Sequence, residues 1–263
     1  QQECQRALQH LEEVLMVEGP QTVAMIALET VVGTNGILVP PDGYLQGVRE
    51  ICNKHGIVMM CDEVMAGFGR CGEWFAVNKW NVTPDLICFA KGVNSGYIPL
   101  GGVVISQKIA DTFRDRVFPG GLTYSGHPLA CAAAVASINI FKEEKIVEHA
   151  RMLGKDVIGP ALEKIKAKHP SVGDVRGLGV FWAIELVKNR ETREPYVPFN
   201  ASGPDAKPMM DLIVACKERN LWPFTHFNRI HVVPPCNTPV EDVKTGLAII
   251  DEVLDIADKH CKN

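Results

Sequence analysis

The sequence has no CxxC pair and no HExxH motif, so a metal site of either kind has nothing to build on. It has no P-loop, which weakens a nucleotide-binding α/β reading. No apolar run reaches the roughly 18 residues of a membrane-crossing helix, and there is no internal repeat or low-complexity tract. Neither sign of charge dominates. The net charge is −4 and the pI about 6.1, so no basic field invites nucleic acid. Disulfide spacing is missing too. The nine cysteines are scattered, and Cys61, Cys88, Cys131 and Cys216 lie inside apolar runs. This reads as reduced thiol in a cytoplasmic protein. The chain opens at Gln1 within a polar helical pattern and is read as a piece of a longer protein. An organellar or other targeting segment would then lie outside it.

What is present is an ordinary globular composition, 46% apolar and 22% charged, over 263 residues. That length holds one large domain or two smaller ones with cores of their own. The organising stretch is DLICFAKGVNSGYIPLGG, Asp85 to Gly102. Leu86 to Ala90 has the length of a buried strand and stops at Lys91, beside glycines that let other atoms come close. A lysine there is an unusual place for a solvated charge. Upstream, Ile57 to Cys61 is a second such run and ends in Asp62-Glu63-Val64, while Val23 to Leu28 ends at Glu29. Between them Tyr44 to His55 has helical periodicity and a stop at Gly56, and Leu129 to about Lys142 is a helix of small residues.

Strands alternating with helices predict a mostly parallel sheet covered on both faces, with ligands beyond the C-terminal strand ends. Glu29, Asp62 and Lys91 all stand at that end. The residues suggest that Lys91 holds a carbonyl cofactor as a Schiff base and Asp62 holds the cofactor's ring nitrogen. A lysine amine attacks a carbonyl only when unprotonated, a state that burial favours. After about residue 150 the pattern becomes a small α+β unit. Its elements are strands at Val180 to Val187 and Arg229 to Val233, and helices at Met209 to Arg219 and Val240 to His260. The expected domains are therefore 1–150, a large cofactor-binding domain, and 151–263, a small C-terminal domain.

Taken together, CDEVMAGFGRCGEWFAVNKWNVTPDLICFAKGVNSGYIPLGGVVIS and GLTYSGHPLACAAA resemble the class III pyridoxal-phosphate aminotransferases of fold type I. The DEV-x-x-GFGR-x-G block, with the AKG lysine 29 residues after Asp62, carries most of the likeness, which extends over essentially the whole chain. The nearest branch is that of ω-amino acid enzymes acting on taurine, β-alanine, 4-aminobutyrate or other amines, with pyruvate or 2-oxoglutarate as acceptor. The resemblance implies that Lys91 is the Schiff-base lysine, that Asp62 pairs with the pyridinium nitrogen and that Val64 packs beneath the ring. Thr123, in TYSGHP, would bind the cofactor phosphate of the other subunit of a homodimer. Glu29, in LETVVGTNG, would pair with a substrate-binding arginine, for which Arg229 is the candidate. Thr30 stands where the family usually has proline, and Met65 where it often has glutamine. The family's N-terminal third, with its phosphate-cradling turn and ring-stacking aromatic, has no counterpart in the chain.

Blander readings compete. A lone lysine after a strand is usually solvated, Asp62-Glu63 could be a plain turn, and Arg229 could be a strand-end ion pair. Glu63 has no role here beyond structure. Arg70 and Arg176 read as structural, and His127 and His231 as packed. Within the same cofactor chemistry, an aminomutase or decarboxylase is the alternative. Outside it stands a non-catalytic fragment serving as a binding module.

Overall fold

In the computed structural model, residues 1–261 are described. They fall into two compact units. The first comprises residues 1–31, 40–69 and 73–146; the second comprises 32–39, 70–72 and the chain from Val147 onward.

The first unit contains α1 (Gln2–Glu18), β1 (Met25–Glu29), α2 (Tyr44–His55), β2 (Val58–Asp62), β3 (Leu86–Phe89), β4 (Gly102–Ile105), α3 (Gln107–Thr112) and α4 (Pro128–Glu143). Its sheet runs β1-β2-β3-β4, with the first three strands parallel and β4 antiparallel to β3. α2 buries Leu45, Val48, Ile51 and Cys52 on one stripe. It stops at Gly56, whose left-handed backbone lets its N–H reach the Cys52 carbonyl. In the antiparallel pair, Gly102 faces Phe89, and any side chain at 102 would overlap the Phe89 ring. α4 buries Ala130, Ala134, Ser137 and Phe141, and this small-residue face packs on the turn that starts at Lys91.

The second unit contains α5 (Ile146–Met152) from its second residue on, α6 (Gly159–Lys168), β5 (Val172–Leu178), β6 (Phe181–Asn189), β7 (Glu194–Pro195), α7 (Lys207–Glu218), β8 (Phe224–His226), β9 (Arg229–Val232) and α8 (Val240–Asp258). Its sheet is ordered β5-β6-β9-β8 with β7 on β6, all antiparallel. Leu153, Leu162, Ile184, Leu186, Leu212 and Leu254 are among the side chains that fill its core. Sequence periodicity misses β5. Its run VGDVRGL has two glycines and two charges, and its glycines serve long-range packing. Gly173 makes room for Val187, and Gly177 for Trp182, on the neighbouring strand.

A buried polar clamp ties α8 to the turn before β5. His169 is fully buried; its Nδ1 lies 2.7 Å from Asp258 Oδ2 and its Nε2 3.0 Å from Asp251 Oδ1. Ser171 donates its hydroxyl and its N–H to Asp258 Oδ1, at 2.6 and 3.1 Å. Removing one partner of a buried hydrogen bond costs about 1–3 kcal/mol. The aspartates are 23% and 36% exposed, which lowers the cost. His169→Ala is expected to lower stability by about 1–2 kcal/mol, read by urea denaturation. A loss below about 0.5 kcal/mol would mean that α8 docks on its apolar face alone.

No helix among the described residues is long and apolar enough to cross a membrane.

Candidate active site at the ends of three parallel strands

The register brings the predicted acids together. Glu29 and Asp62 are Cα partners at the ends of β1 and β2, and Asp62 is the partner of Cys88 on β3. Lys91 follows Cys88 by three residues, so two acids and one amine leave the same edge of the sheet. Asp62 is half-buried, and its Oδ1 accepts the Val64 N–H at 2.8 Å. That bond folds the strand exit into a tight turn and fixes the carboxylate beside Val64.

Lys91 adopts φ 44°, in the left-handed region. A residue with a Cβ pays on the order of 1–2 kcal/mol to sit there. The turn is held in this strained form from several sides. A Cβ on the next residue, Gly92, would meet Phe68 Cβ at 2.8 Å, so only glycine fits against that ring. Phe68 in turn packs on Phe75 and Phe89, with centroids 5.4 and 5.7 Å away. Asn94 is buried, with its amide donating to the Ile98 carbonyl and its Oδ1 accepting the Gly96 N–H. Ser95 and Ser137 place their hydroxyls 3.3 Å apart, joining the turn to α4.

The expected burial of Lys91 is corrected by the structure. β3 is half-buried throughout, β4 beside it is largely exposed, and Lys91 itself is exposed in this chain. Run length signals a strand, but burial depends on what covers the faces. α4 lies against the Lys91 turn, not along β3 and β4.

Glu63, passed over in the sequence, is the most enclosed acid at this edge. The strand's alternation turns it to the face opposite Asp62. It is 0% exposed. Oε1 accepts the Thr30 hydroxyl at 2.7 Å and the Val77 N–H at 2.9 Å, and Oε2 accepts the Ala76 N–H at 2.8 Å. Burial pushes its pKa up, and the three donors offset only part of that rise. The signal available in the sequence was this same alternation, which aims a carboxylate inward.

Thr123 lies on an exposed turn before α4, in the same unit as Asp62 and Lys91. Residues 67–72, GFGRCG, spell a G-x-G-x-x-G spacing that sequence reading overlooked. They form turns and lead to a 3₁₀ turn at Ala76–Trp80 instead of opening an α-helix, so the dinucleotide-binding context is missing.

Arg229 belongs to the second unit. Its Nε donates to Glu185 Oε2 at 3.2 Å, and Arg176 Nη2 donates to the same oxygen at 2.7 Å. Arg176 also donates to Asp174 and to the Gly36 carbonyl. Burial pushes Glu185 up, but the two guanidinium groups more than offset it and hold the carboxyl below the usual range. His231 lies on the same strand. Burial, then the nearby His226, Arg229 and Arg176, push it down to about 4, so it is neutral at pH 7. Arg70 donates to the Val180 and Pro234 carbonyls, a structural tie within that unit.

A sequence model of the family described as "Aminotransferase class-III" matches residues 1–254. Putrescine–pyruvate aminotransferase of Pseudomonas aeruginosa is 42% identical over 191 residues, 72% of this chain and 42% of that protein. Taurine–pyruvate aminotransferase of Bilophila wadsworthia is 41% identical over 191 residues, 70% of this chain and 42% of that protein. Among solved structures, taurine:2-oxoglutarate aminotransferase from Bifidobacterium kashiwanohense, in complex with PLP and glutamate, superposes with a TM-score of 0.92. It is 42% identical and covers 97% of this chain and 56% of that one. The fold is thus the fold type I architecture expected from the sequence. The chain spans about half the length of the curated relatives it matches. It belongs to the class III aminotransferase family.

Proposed function

We propose that the full-length protein is a pyridoxal-phosphate-dependent transaminase. It would move an amino group from an ω-amino acid or amine, of the taurine, β-alanine or 4-aminobutyrate type, to pyruvate or 2-oxoglutarate. The observation that carries this reading is the strand register that delivers Asp62 and Lys91 to one sheet edge, with Lys91 held in a strained turn. A primary amine and a carboxylate are the donor set that this cofactor's aldehyde and ring nitrogen require, so the residues fit the group.

Lys91 Nζ would bond the cofactor, Asp62 would face its ring nitrogen and Val64 would lie beneath the ring. Thr123 would bind the phosphate in the partner subunit of a homodimer. Exposed Leu122, Tyr124 and Leu129 around Thr123 support that dimer. Bound there, pyridoxal phosphate supplies an electron sink for the substrate carbon. Asp62 would keep a proton on the ring nitrogen. Lys91 Nζ would accept the proton that leaves the amine-bearing carbon. Arg229, with Glu29 as its gate, would bind the substrate's carboxylate or sulfonate. Residues 1–150 would form the cofactor-binding domain and 151–263 the small domain. The nine scattered cysteines support a cytoplasmic location.

The test is a panel of ω-amines assayed against each keto acid with the full-length protein. Turnover that needs an acceptor supports a transaminase; turnover without one indicates a mutase or decarboxylase. No turnover with any pair would contradict the reading. In the same panel, Arg229→Ala is expected to raise KM for acidic donors roughly tenfold, about one charge-assisted hydrogen bond, and to spare simple amines. Equal effects on both classes would make Arg229 structural.

A further inference from the structure

On the transaminase reading above, we propose that Glu63 is a positioning residue for the Asp62 carboxylate and for the strand exit that leads to Lys91. Five hydrogen bonds meet at this residue. Its N–H donates to the Cys88 carbonyl at 2.8 Å, and its own carbonyl accepts the Gly67 N–H at 2.9 Å. Its carboxylate holds Thr30, Ala76 and Val77. The segment after β1, strand β3, the start of the glycine loop and the 3₁₀ turn that follows it are therefore tied to one side chain and its peptide.

Asp62 depends on that tie. The N–H that Asp62 Oδ1 accepts belongs to the peptide between Glu63 and Val64. The direction of this peptide follows from the backbone of Glu63, pinned on both sides. Thr30 adds a second link, since its N–H donates to the Asp62 carbonyl at 3.3 Å while its hydroxyl holds Glu63.

The donors on the Glu63 carboxylate are all uncharged: one hydroxyl and two amides. A buried carboxylate held by dipoles alone tolerates no lost donor, because each one offsets part of its desolvation. The three donor segments are therefore coupled. Shifting one leaves a charge unsolvated, so the network favours a single arrangement of the turn. An apolar side chain could fill the same space without imposing that arrangement.

Two substitutions separate positioning from mere packing. Glu63→Gln keeps the shape but turns an NH₂ group toward one of the two amide donors, which sit on different carboxylate oxygens. Thr30→Val removes the hydroxyl donor from outside the Asp62–Val64 turn. In full-length protein, Glu63→Gln is expected to lower kcat on the order of 10- to 100-fold, the scale of a misplaced catalytic group. KM for amine and keto acid should stay within about twofold. In the cofactor-free protein, amide hydrogen exchange at Val64, Ala76 and Val77 is expected to accelerate by about tenfold or more. Thr30→Val should move both readouts in the same direction, by less, and carries the test if Glu63→Gln does not fold. A lower Tm with kcat unchanged would overturn the proposal, as would unaltered exchange at Val64. A wild-type protein without transaminase activity would sink the functional reading alone, and the exchange data would still decide the anchoring role.

Discussion

Lys91→Ala in the full-length protein is expected to lower kcat by at least about 10³-fold, within the range contributed by a positioned acid–base group. The loss should exceed that of any other single substitution at the sheet edge, because two tasks would fall on one amine. Lys91 Nζ would bond the cofactor and then carry the substrate proton. The backbone argues for a dedicated residue: φ 44° is tolerated here through Gly92 against Phe68, buried Asn94 and the contact with α4. Strain of this kind persists where the surroundings enforce it, and such places cluster at functional sites. A small primary amine added to the alanine variant should restore part of the rate, since it replaces the proton carrier but not the tether. A variant retaining more than about a tenth of wild-type kcat would assign Lys91 to structure.

Asp62→Asn is expected to cost about 10²- to 10³-fold in kcat while changing cofactor affinity much less. A carboxylate about 4 Å from a cation is worth roughly 4 kcal/mol at an effective dielectric near 20, or about three pKa units on the cation. Without it, a weakly basic ring nitrogen loses its proton near neutral pH. The asparagine substitution isolates this charge effect. Its side-chain oxygen can still accept the Val64 N–H that Asp62 Oδ1 accepts at 2.8 Å, so the turn should survive. Proton abstraction, followed by deuterium-labelled substrate in single turnovers, should account for the loss. Equal losses in affinity and rate would contradict the ring-nitrogen role.

Much of the sheet edge that carries the candidate site was legible in the sequence because strand ends are local. The apolar runs before Glu29, Asp62 and Lys91 became β1, β2 and β3, and their parallel register followed from alternation with helices. What the sequence concealed was long-range. β5 is irregular as a string, because Gly173 and Gly177 answer to Val187 and Trp182 on another strand. The apolar run before Lys91 gave no measure of its cover, and the lysine is exposed. Arg229 shares Glu185 with Arg176, an arrangement set by the pairing of β6 and β9. Glu63 looked like the second half of an acidic turn, yet its partners lie 33 residues before it and 13 and 14 after.

The central claim is that Lys91 is the residue that carries pyridoxal phosphate. Borohydride reduction of the cofactor-loaded, full-length protein, followed by peptide mass mapping, tests it directly. The account predicts a pyridoxyl-phosphate adduct on the peptide containing Lys91 and nowhere else. An unmodified Lys91 peptide, or the label on another lysine, would contradict it.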